Sequence, residues 1–425
     1  MQIIVREGAA SGRIKAPSSK SLTHRAMICS LLSEGTSKIG SPLLCDDTQA
    51  TCDACVMMGA DATIKDDGIT IKGNGRPEEP GGPIDCRESA STLRMLLASS
   101  ALADGNVTFT GKESLINRPI GELIAAMGDL GIESRYLGAA GYPPVMIKGG
   151  GIEGGRVSLR GDISSQYISS LLFACPMARK KTTIGITTKL ESLPYVTLTL
   201  DMQREYGIDI ITSERMDRFS IESGQSYRPA KLSIEGDYSS AAFLLVAGCL
   251  GMGARISNLN KASSQGDMRI LGILGSMGAK LASEVDEVKI ERSELSAREI
   301  DCSDIPDLVP ILAVACTQAK GISRLINISR LRIKESDRLG SISSELKKMG
   351  ADITIDKDSL IIKGKTRLRG SVLESHNDHR IAMALTVAAL SASGDSKISG
   401  MECVKKSYPS FLYDMHAMGA DIDVV

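Results

Sequence analysis

Six times along the chain, apolar residues at helical spacing give way to a glycine and then to alternating apolar and polar residues. The stretch "ISSELKKMGADITID" (342–356) shows the change of period. Ile342, Leu346 and Met349 fall on one helical face, whereas Ile353 and Ile355 alternate as in a half-buried strand. Gly350 stands between the two patterns, where a left-handed residue ends a helix at little cost. Equivalent glycines are Gly59, Gly131, Gly207, Gly278 and Gly419, and successive members of the set lie 69 to 76 residues apart. After each glycine the pattern predicts strand, turn and strand; "ATIKDDGITIKG" (62–73) places the turn at Asp67-Gly68.

A second signal has the same period. A polar cluster precedes an apolar helix in "PSSKSLTHRAMICSLL" from 17, "CRESASTLRMLLA" from 86, "GDISSQYISSLLFA" from 161, "GDYSSAAFLLVA" from 236, "DIPDLVPILAVA" from 304 and "HNDHRIAMALTVAAL" from 376. Short strands such as "NVTFTG" and "KTTIGIT" separate this helix from the glycine-stopped one. Each repeat therefore reads β-α-β-α-β-β, an α/β arrangement in which two helices cover one face of a four-stranded sheet. A period near 70 is too long for a solenoid repeat, so each copy is expected to be a small subdomain.

Composition narrows the class. A chain of 425 residues implies two or more domains, and 42% hydrophobic with 24% charged residues is ordinary for a soluble protein. The formal net charge of -1 supplies no global field for nucleic acid or acidic membranes. With no Trp and 3% aromatics there is little to stack bases upon. The first twenty residues lack a signal-peptide pattern, and the apolar run "AAFLLVAGCLGMGA" is too short to span a bilayer. Ten scattered cysteines, among them Cys29, Cys175, Cys249 and Cys316 inside apolar helices, suggest a reducing cytoplasm. Cys52 and Cys55 form a C-x-x-C, but no second metal-ligand pair accompanies it, so helix packing is the expected role.

Cations stand where helices begin. The positive end of a helix disfavours Lys and Arg. Yet Lys20 and Arg25, Arg94, Arg118, Lys334 and Arg338, and His379 and Arg380 lie at or near five predicted helix starts. Such ends with added cations make sites for phosphate or carboxylate, and several separated groups imply more than one anionic function on the ligands. "RLRIKESDRL" (330–339) is the densest case: Arg330, Lys334 and Arg338 are four apart and would share a face if the stretch were helical. The serine pairs before Lys20 and Gln166 either cap helices or present donors to a ligand, whereas "GDYSS" at 236 has no neighbouring cation and reads as a cap.

The segments "PSSKSLTHRA", "STLRML", "NRPIGEL", "SSQY", "SLPY", "IPD", "RIKESDRL", "NDHRIAMA" and "KKSYP", in this order, resemble the 5-enolpyruvylshikimate-3-phosphate synthase family over the whole chain. "RIKESDR" followed by "NDHR" separates that family from its sister, UDP-N-acetylglucosamine enolpyruvyl transferase, whose catalytic Cys loop has no clear counterpart here. The resemblance implies a two-domain inside-out α/β barrel of six βαβαββ units, three per domain, with ligands in the cleft between domains that close. It sets the boundaries at 16–232 for the N-terminal domain, mainly the shikimate 3-phosphate side. Residues 1–15 plus 233–425 form the C-terminal domain, with much of the phosphoenolpyruvate side. The implied reaction moves the enolpyruvyl group of phosphoenolpyruvate to the 5-hydroxyl of shikimate 3-phosphate, through a tetrahedral intermediate, with no metal or organic cofactor. A cytoplasmic monomer with small-molecule substrates and no nucleic-acid or membrane partner is expected.

Carried over by motif, Asp307 is the base, Glu335 the proton donor, and Lys20 shares in proton handling. The resemblance assigns shikimate 3-phosphate to Lys20, Ser21, Arg25, Ser164, Ser165, Gln166, Ser192, Tyr195, Asp307 and Lys334. It assigns phosphoenolpyruvate to Lys20, Ala90, Arg94, Arg118, Gln166, Arg338, Arg380 and Lys406. The chain departs from the family at Arg330, often Asn, and at Glu88-Ser89-Ala90-Ser91, where many members read Asn-x-Gly-Thr. Ala90 in place of Gly narrows the slot expected to admit glyphosate. The alternatives are the sister enolpyruvyl transferase and, in another class, a non-catalytic ring or clamp-like scaffold. A DNA clamp would carry rows of cations along helices rather than clusters at helix starts.

Overall fold

The computed structural model describes residues 1–65 and 68–425. The chain divides into a contiguous unit, Ser19–Ile234, and a discontinuous one, Met1–Ser18 with Glu235–Val425. Each contains three four-stranded sheets. All six sheets repeat one pattern, a parallel pair extended by two antiparallel pairings. The sheet of strands Glu299–Asp301, Gly321–Ile326, Ser359–Gly364 and Asp352–Asp356 is typical. In the discontinuous unit, Gln2–Val5 lies antiparallel between Ser396–Ser399 and Ile422–Val424, with Ile3 opposite Ile398 and Val424. Ser11–Lys15 runs parallel to Gly253–Ser257. In the contiguous unit, Lys231–Ser233 joins the strand Glu34–Gly40.

The six periodic glycines all have positive φ, between 79° and 103°. In each case the following residue donates its N–H to a carbonyl five positions back. Those donors are Ala60, Ile132, Ile208, Ala279, Ala351 and Ala420, at 2.9 to 3.0 Å. This bond satisfies a helix-end carbonyl and turns the chain toward the next strand. The hairpin Asp61–Lys65 with Gly68–Asn74 is antiparallel, but the Asp67-Gly68 turn expected there involves a residue outside those described.

The polar-start helices form the interior. They are Lys20–Leu32, Ala90–Ser100 and Ser165–Ala174 in one unit, and Tyr238–Leu250, Val309–Gln318 and His379–Leu390 in the other. Every residue of His379–Leu390 is buried, as is every residue but the last of the other two helices in its unit. A helix apolar all round belongs in a core. Glycine-stopped helices such as Arg338–Lys348 keep a mixed surface.

One open reading is settled. Residues 330–339 are not one helix: Ser329–Ile333 is a tight 3-10 turn, Lys334 is extended, and the α-helix begins at Arg338 behind the cap Asp337. The three cations therefore do not stack on one face. Pro119 lies two positions before the helix Gly121–Asp129. All ten cysteines are buried free thiols. Burial pushes the Cys52 thiol up to about 11 and that of Cys55 well above its usual value, which fits packing. Among the described residues no helix is long and apolar enough to cross a membrane.

Candidate functional site

In the contiguous unit, three serines cap the three interior helices. Ser19, Ser89 and Ser164 accept from the N–H groups of Leu22 (3.4 Å), Thr92 (3.2 Å) and Gln166 (3.3 Å). A hydroxyl cap satisfies a donor without cancelling the positive end of the helix. Beside these ends stand the predicted cations. Lys20 Nζ donates to Asp47 Oδ2 at 2.6 Å. Arg94 donates to Gln166 Oε1 and to the Pro119 carbonyl, both at 3.2 Å, and its guanidinium lies over the Tyr167 ring. Gln166 Nε2 donates in turn to Ser91 Oγ at 2.9 Å. Arg94, Gln166 and Ser91 are thus linked across two helix starts, with Ala90 the first residue of its helix. Arg118 is buried just after the short helix Glu113–Ile116.

Arg25 is fully enclosed. It donates to Thr199 Oγ1 (2.9 Å) and to the carbonyls of Ser21 (2.8 Å) and Tyr195 (2.7 Å). Burial lowers its guanidinium to about 10. It fastens the Lys20 helix to the helix Leu193–Glu205, which starts from a left-handed Ser192 (φ 56°). Ser21 and Tyr195 are therefore held together by Arg25 itself.

In the discontinuous unit, carboxylates occupy the corresponding helix ends. Asp237 accepts the Ser240 N–H at 2.7 Å and Asp378 the Arg380 N–H at 2.9 Å. Asp307 lies in the tight turn Pro306–Leu308 just before its helix. Arg338, 1% exposed, gathers three carboxylates: its Nε meets Asp378 Oδ2 at 2.7 Å, one terminal nitrogen Asp307 Oδ1 at 2.8 Å, and the other Glu335. Burial alone would lower its affinity for a proton, but Asp378, Glu335 and Asp307 together raise it. Arg380 adds a bond to Asp307 Oδ2 at 3.0 Å, and Lys334 Nζ stands 4.0 Å from Asp307 Oδ1.

This crowding sets the electrostatics. Burial by itself would raise the Asp307 carboxyl, yet Arg380, Lys334 and Arg338 hold it well below the usual carboxylate range. Lys334 is lowered to about 8, first by burial and then by the like charges of Arg338 and Arg330, against the pull of Asp307. Asp267, buried and accepting from the Ser239 hydroxyl, is pushed up to about 7 by burial and by the Asp307 charge. Lys406 Nζ donates to the Asn377 carbonyl at 2.9 Å.

Asp47, Ser91, Asp267 and Asp378 were not singled out from sequence. An aspartate in a first turn, as Asp47 is, is favourable there in any helix and so carries no signal of its own. Asp378 sits inside the quoted "NDHR" and could have been found as the cap of its helix. Two departures acquire structural roles. Glu88 accepts from the Ser114 hydroxyl at 2.8 Å, tying the Ala90 helix start to the short helix before Arg118. Arg330 donates to the Ser303 carbonyl at 2.6 Å.

Comparison with known proteins gives one answer. The sequence profile of EPSP synthase (3-phosphoshikimate 1-carboxyvinyltransferase) matches residues 5–415. A protein of that activity name from Methanocorpusculum labreanum is 40% identical over 424 residues, 99% of each chain. One from Methanococcus vannielii is 40% identical over 430 residues, covering 100% of both. Among solved structures, the EPSP synthase from Acinetobacter baumannii superposes with a TM-score of 0.85 at 28% identity, covering 100% of this chain and 99% of the other.

Proposed function

This chain belongs to the EPSP synthase family, and from that premise we propose how its residues divide the work. The enzyme transfers the enolpyruvyl group of phosphoenolpyruvate to the 5-hydroxyl of shikimate 3-phosphate and releases phosphate, a step of the shikimate pathway. In addition, C3 of phosphoenolpyruvate gains a proton, C2 becomes electrophilic, and the 5-hydroxyl oxygen bonds to it while losing its proton. In elimination, the C2–O bond to phosphate breaks and C3 gives its proton back.

We assign the 5-hydroxyl proton to Asp307, the C3 proton to Glu335, and a shared part in both transfers to Lys20. The serine-capped helix starts of the contiguous unit, with Lys20, Ser21, Arg25, Ser164, Ser165, Gln166, Ser192 and Tyr195, hold shikimate 3-phosphate, with Asp307 and Lys334. Phosphoenolpyruvate takes Arg94, Arg118, Gln166, Arg338, Arg380, Lys406 and Lys20. The observation that supports this reading most is that Asp307 and Glu335 share Arg338, while Arg380 and Lys334 approach Asp307 as well. Such a cluster fixes which carboxyl holds a proton, and a bound anion that competes for Arg338 or Arg380 releases Asp307 to act as a base. The finer architecture belongs to the same reading: an inside-out α/β barrel, with domains 16–232 and 1–15 plus 233–425, acting as a cytoplasmic monomer.

The test is phosphate release from phosphoenolpyruvate with and without shikimate 3-phosphate, in wild type and Asp307→Ala. Release that needs both substrates and falls by about 10²–10⁴ in the variant supports the assignment. Release dependent on UDP-N-acetylglucosamine would move it to the sister activity. A separate expectation concerns Ala90. Its methyl crowds the glyphosate slot, so Ala90→Gly should tighten glyphosate inhibition by about tenfold or more, the worth of one methyl-sized group in a filled pocket. An unchanged inhibition constant would remove that role.

A further inference from the structure

Glu345 is in the wrong place for an ordinary helix carboxylate. It lies in the last turn of Arg338–Lys348, where the negative end of the helix opposes it, and it is 1% exposed. Three close donors compensate, with the Ser344 hydroxyl a fourth at 3.5 Å. Lys348 Nζ reaches both of its oxygens at 2.8 Å. The Glu374 backbone N–H donates at 3.1 Å. His376 Nε2 lies 2.8 Å from Oε1, and since a carboxylate only accepts, the ring carries its proton on that nitrogen. Burial would raise the Glu345 carboxyl, but these partners hold it below its usual value.

Two of these donors, Glu374 at the end of the strand Val372–Glu374 and His376 in the turn after it, belong to one segment, and that turn is strained. His376 and Asn377 are consecutive left-handed residues, with φ of 55° and 53°. Neither is glycine, and each such residue costs conformational energy unless its surroundings impose it. The turn leads directly into the carboxylate cluster. Asp378 is wholly buried, accepts Arg338 Nε, and caps the helix that carries Arg380. The Asn377 carbonyl receives Lys406 Nζ. The helix Arg338–Lys348 therefore holds the turn twice, by Arg338 at its first residue and by Glu345 two turns later.

We propose that Glu345 and His376 are positioning residues for the transferase reaction: their hydrogen bond imposes the left-handed turn 376–377, and the turn sets Asp378 against Arg338 and the Asn377 carbonyl beneath Lys406. The pair touches no reacting atom. Its effect is on how Arg338, Arg380 and Lys406 are aimed, and so on phosphoenolpyruvate. This rests on the reading that these cations serve phosphoenolpyruvate.

The turn can be kept without the pair, because glycine adopts positive φ at no steric cost. Four variants separate the possibilities: Glu345→Gln, His376→Ala, His376→Gly, and Glu345→Gln with His376→Gly. Steady-state kinetics for both substrates and thermal unfolding are measured on each, with Lys406→Ala as a reference. Glu345→Gln and His376→Ala should raise KM for phosphoenolpyruvate about tenfold, with KM for shikimate 3-phosphate changed less than twofold. His376→Gly should stay within about threefold of wild type, and the double variant should recover most of what Glu345→Gln loses. Equal effects of Ala and Gly at 376, or lower unfolding temperatures with both KM values unchanged, would overturn the proposal. His376→Ala and His376→Gly sit on a half-exposed side chain, so they decide the question even where Glu345→Gln folds poorly. Wild-type turnover that requires both substrates, with a raised KM for phosphoenolpyruvate in Lys406→Ala, verifies the underlying reading. Loss of that control points to the reading rather than to the pair.

Discussion

The two halves of the molecule end their interior helices differently. In the contiguous unit the caps are the hydroxyls of Ser19, Ser89 and Ser164. In the discontinuous unit they are the carboxylates of Asp237 and Asp378, with Asp307 one turn ahead of the third helix. Serine and aspartate cap equally well, so helix stability does not explain the choice. Charge does. A hydroxyl leaves the positive helix end available to a ligand's anion, with Lys20 and Arg94 close by. A carboxylate fills that end from within, and the arginines and lysine beside it are then partly committed to protein groups. In one unit the helix ends stay positive; in the other, carboxylates already occupy them.

Removing the central cation of each unit tests the difference most severely. Arg338→Leu removes the shared partner of Asp378, Glu335 and Asp307, of which Asp307 keeps Arg380 and Lys334, and should cost about 3–5 kcal/mol of stability. Lys20→Leu strands one carboxylate, Asp47, and should cost about 1–3 kcal/mol. Thermal unfolding of both variants checks this, and equal losses would mean that the carboxylates in the discontinuous unit are not held by Arg338.

The next effect is on pH dependence. Asp267 binds its proton more tightly folded than unfolded, since it is raised from 3.8 to about 7. The stability this gives is fully present below about 4 and is lost as pH rises through about 7. Relative to Asp267→Asn, the wild type should therefore lose stability across that window, and run parallel to the variant above it. Denaturant unfolding at several pH values reads this directly; parallel curves throughout would show that the group does not titrate there.

The smallest effect exchanges the caps. Ser164→Asp should keep its helix intact but place a negative charge where the other unit has one, raising KM for shikimate 3-phosphate several-fold. Asp237→Ser should change stability by no more than about 1 kcal/mol and leave that KM alone. If Ser164→Asp binds normally, the hydroxyl caps are not part of an anion site.

Much of this was legible in the sequence, for local reasons. Gly350 and its five counterparts end helices by a backbone preference that acts within a few residues, so period and helix stops could be read together. The polar-start helices were equally clear, since apolar residues on every face leave only an interior position. Strand partners were not. Nothing near Ile3 says that it will lie opposite Ile398 and Val424, because pairing is fixed by tertiary packing. Charge spacing could not decide 330–339, where Arg330, Lys334 and Arg338 would share a face only in a helix that the chain does not form. The carboxylates that engage the cations, Asp47 and Asp378, were hidden because aspartate is an unremarkable residue at a helix start. Glu345 was hidden inside an amphipathic pattern that looked complete without it.

The strand Gln2–Val5, held between Ser396–Ser399 and Ile422–Val424, also orders events during synthesis. Residues 2–5 are made long before the strands that flank them, whereas Ser11–Lys15 finds its partner at Gly253–Ser257. The contiguous unit has all its strands once residue 234 has emerged, and can fold while translation continues. Gln2–Val5 stays unpaired until Ser396–Ser399 and Ile422–Val424 have been made. A slower ribosome lengthens that exposure, which makes this strand, rather than either core, the point at which a chaperone has most to protect.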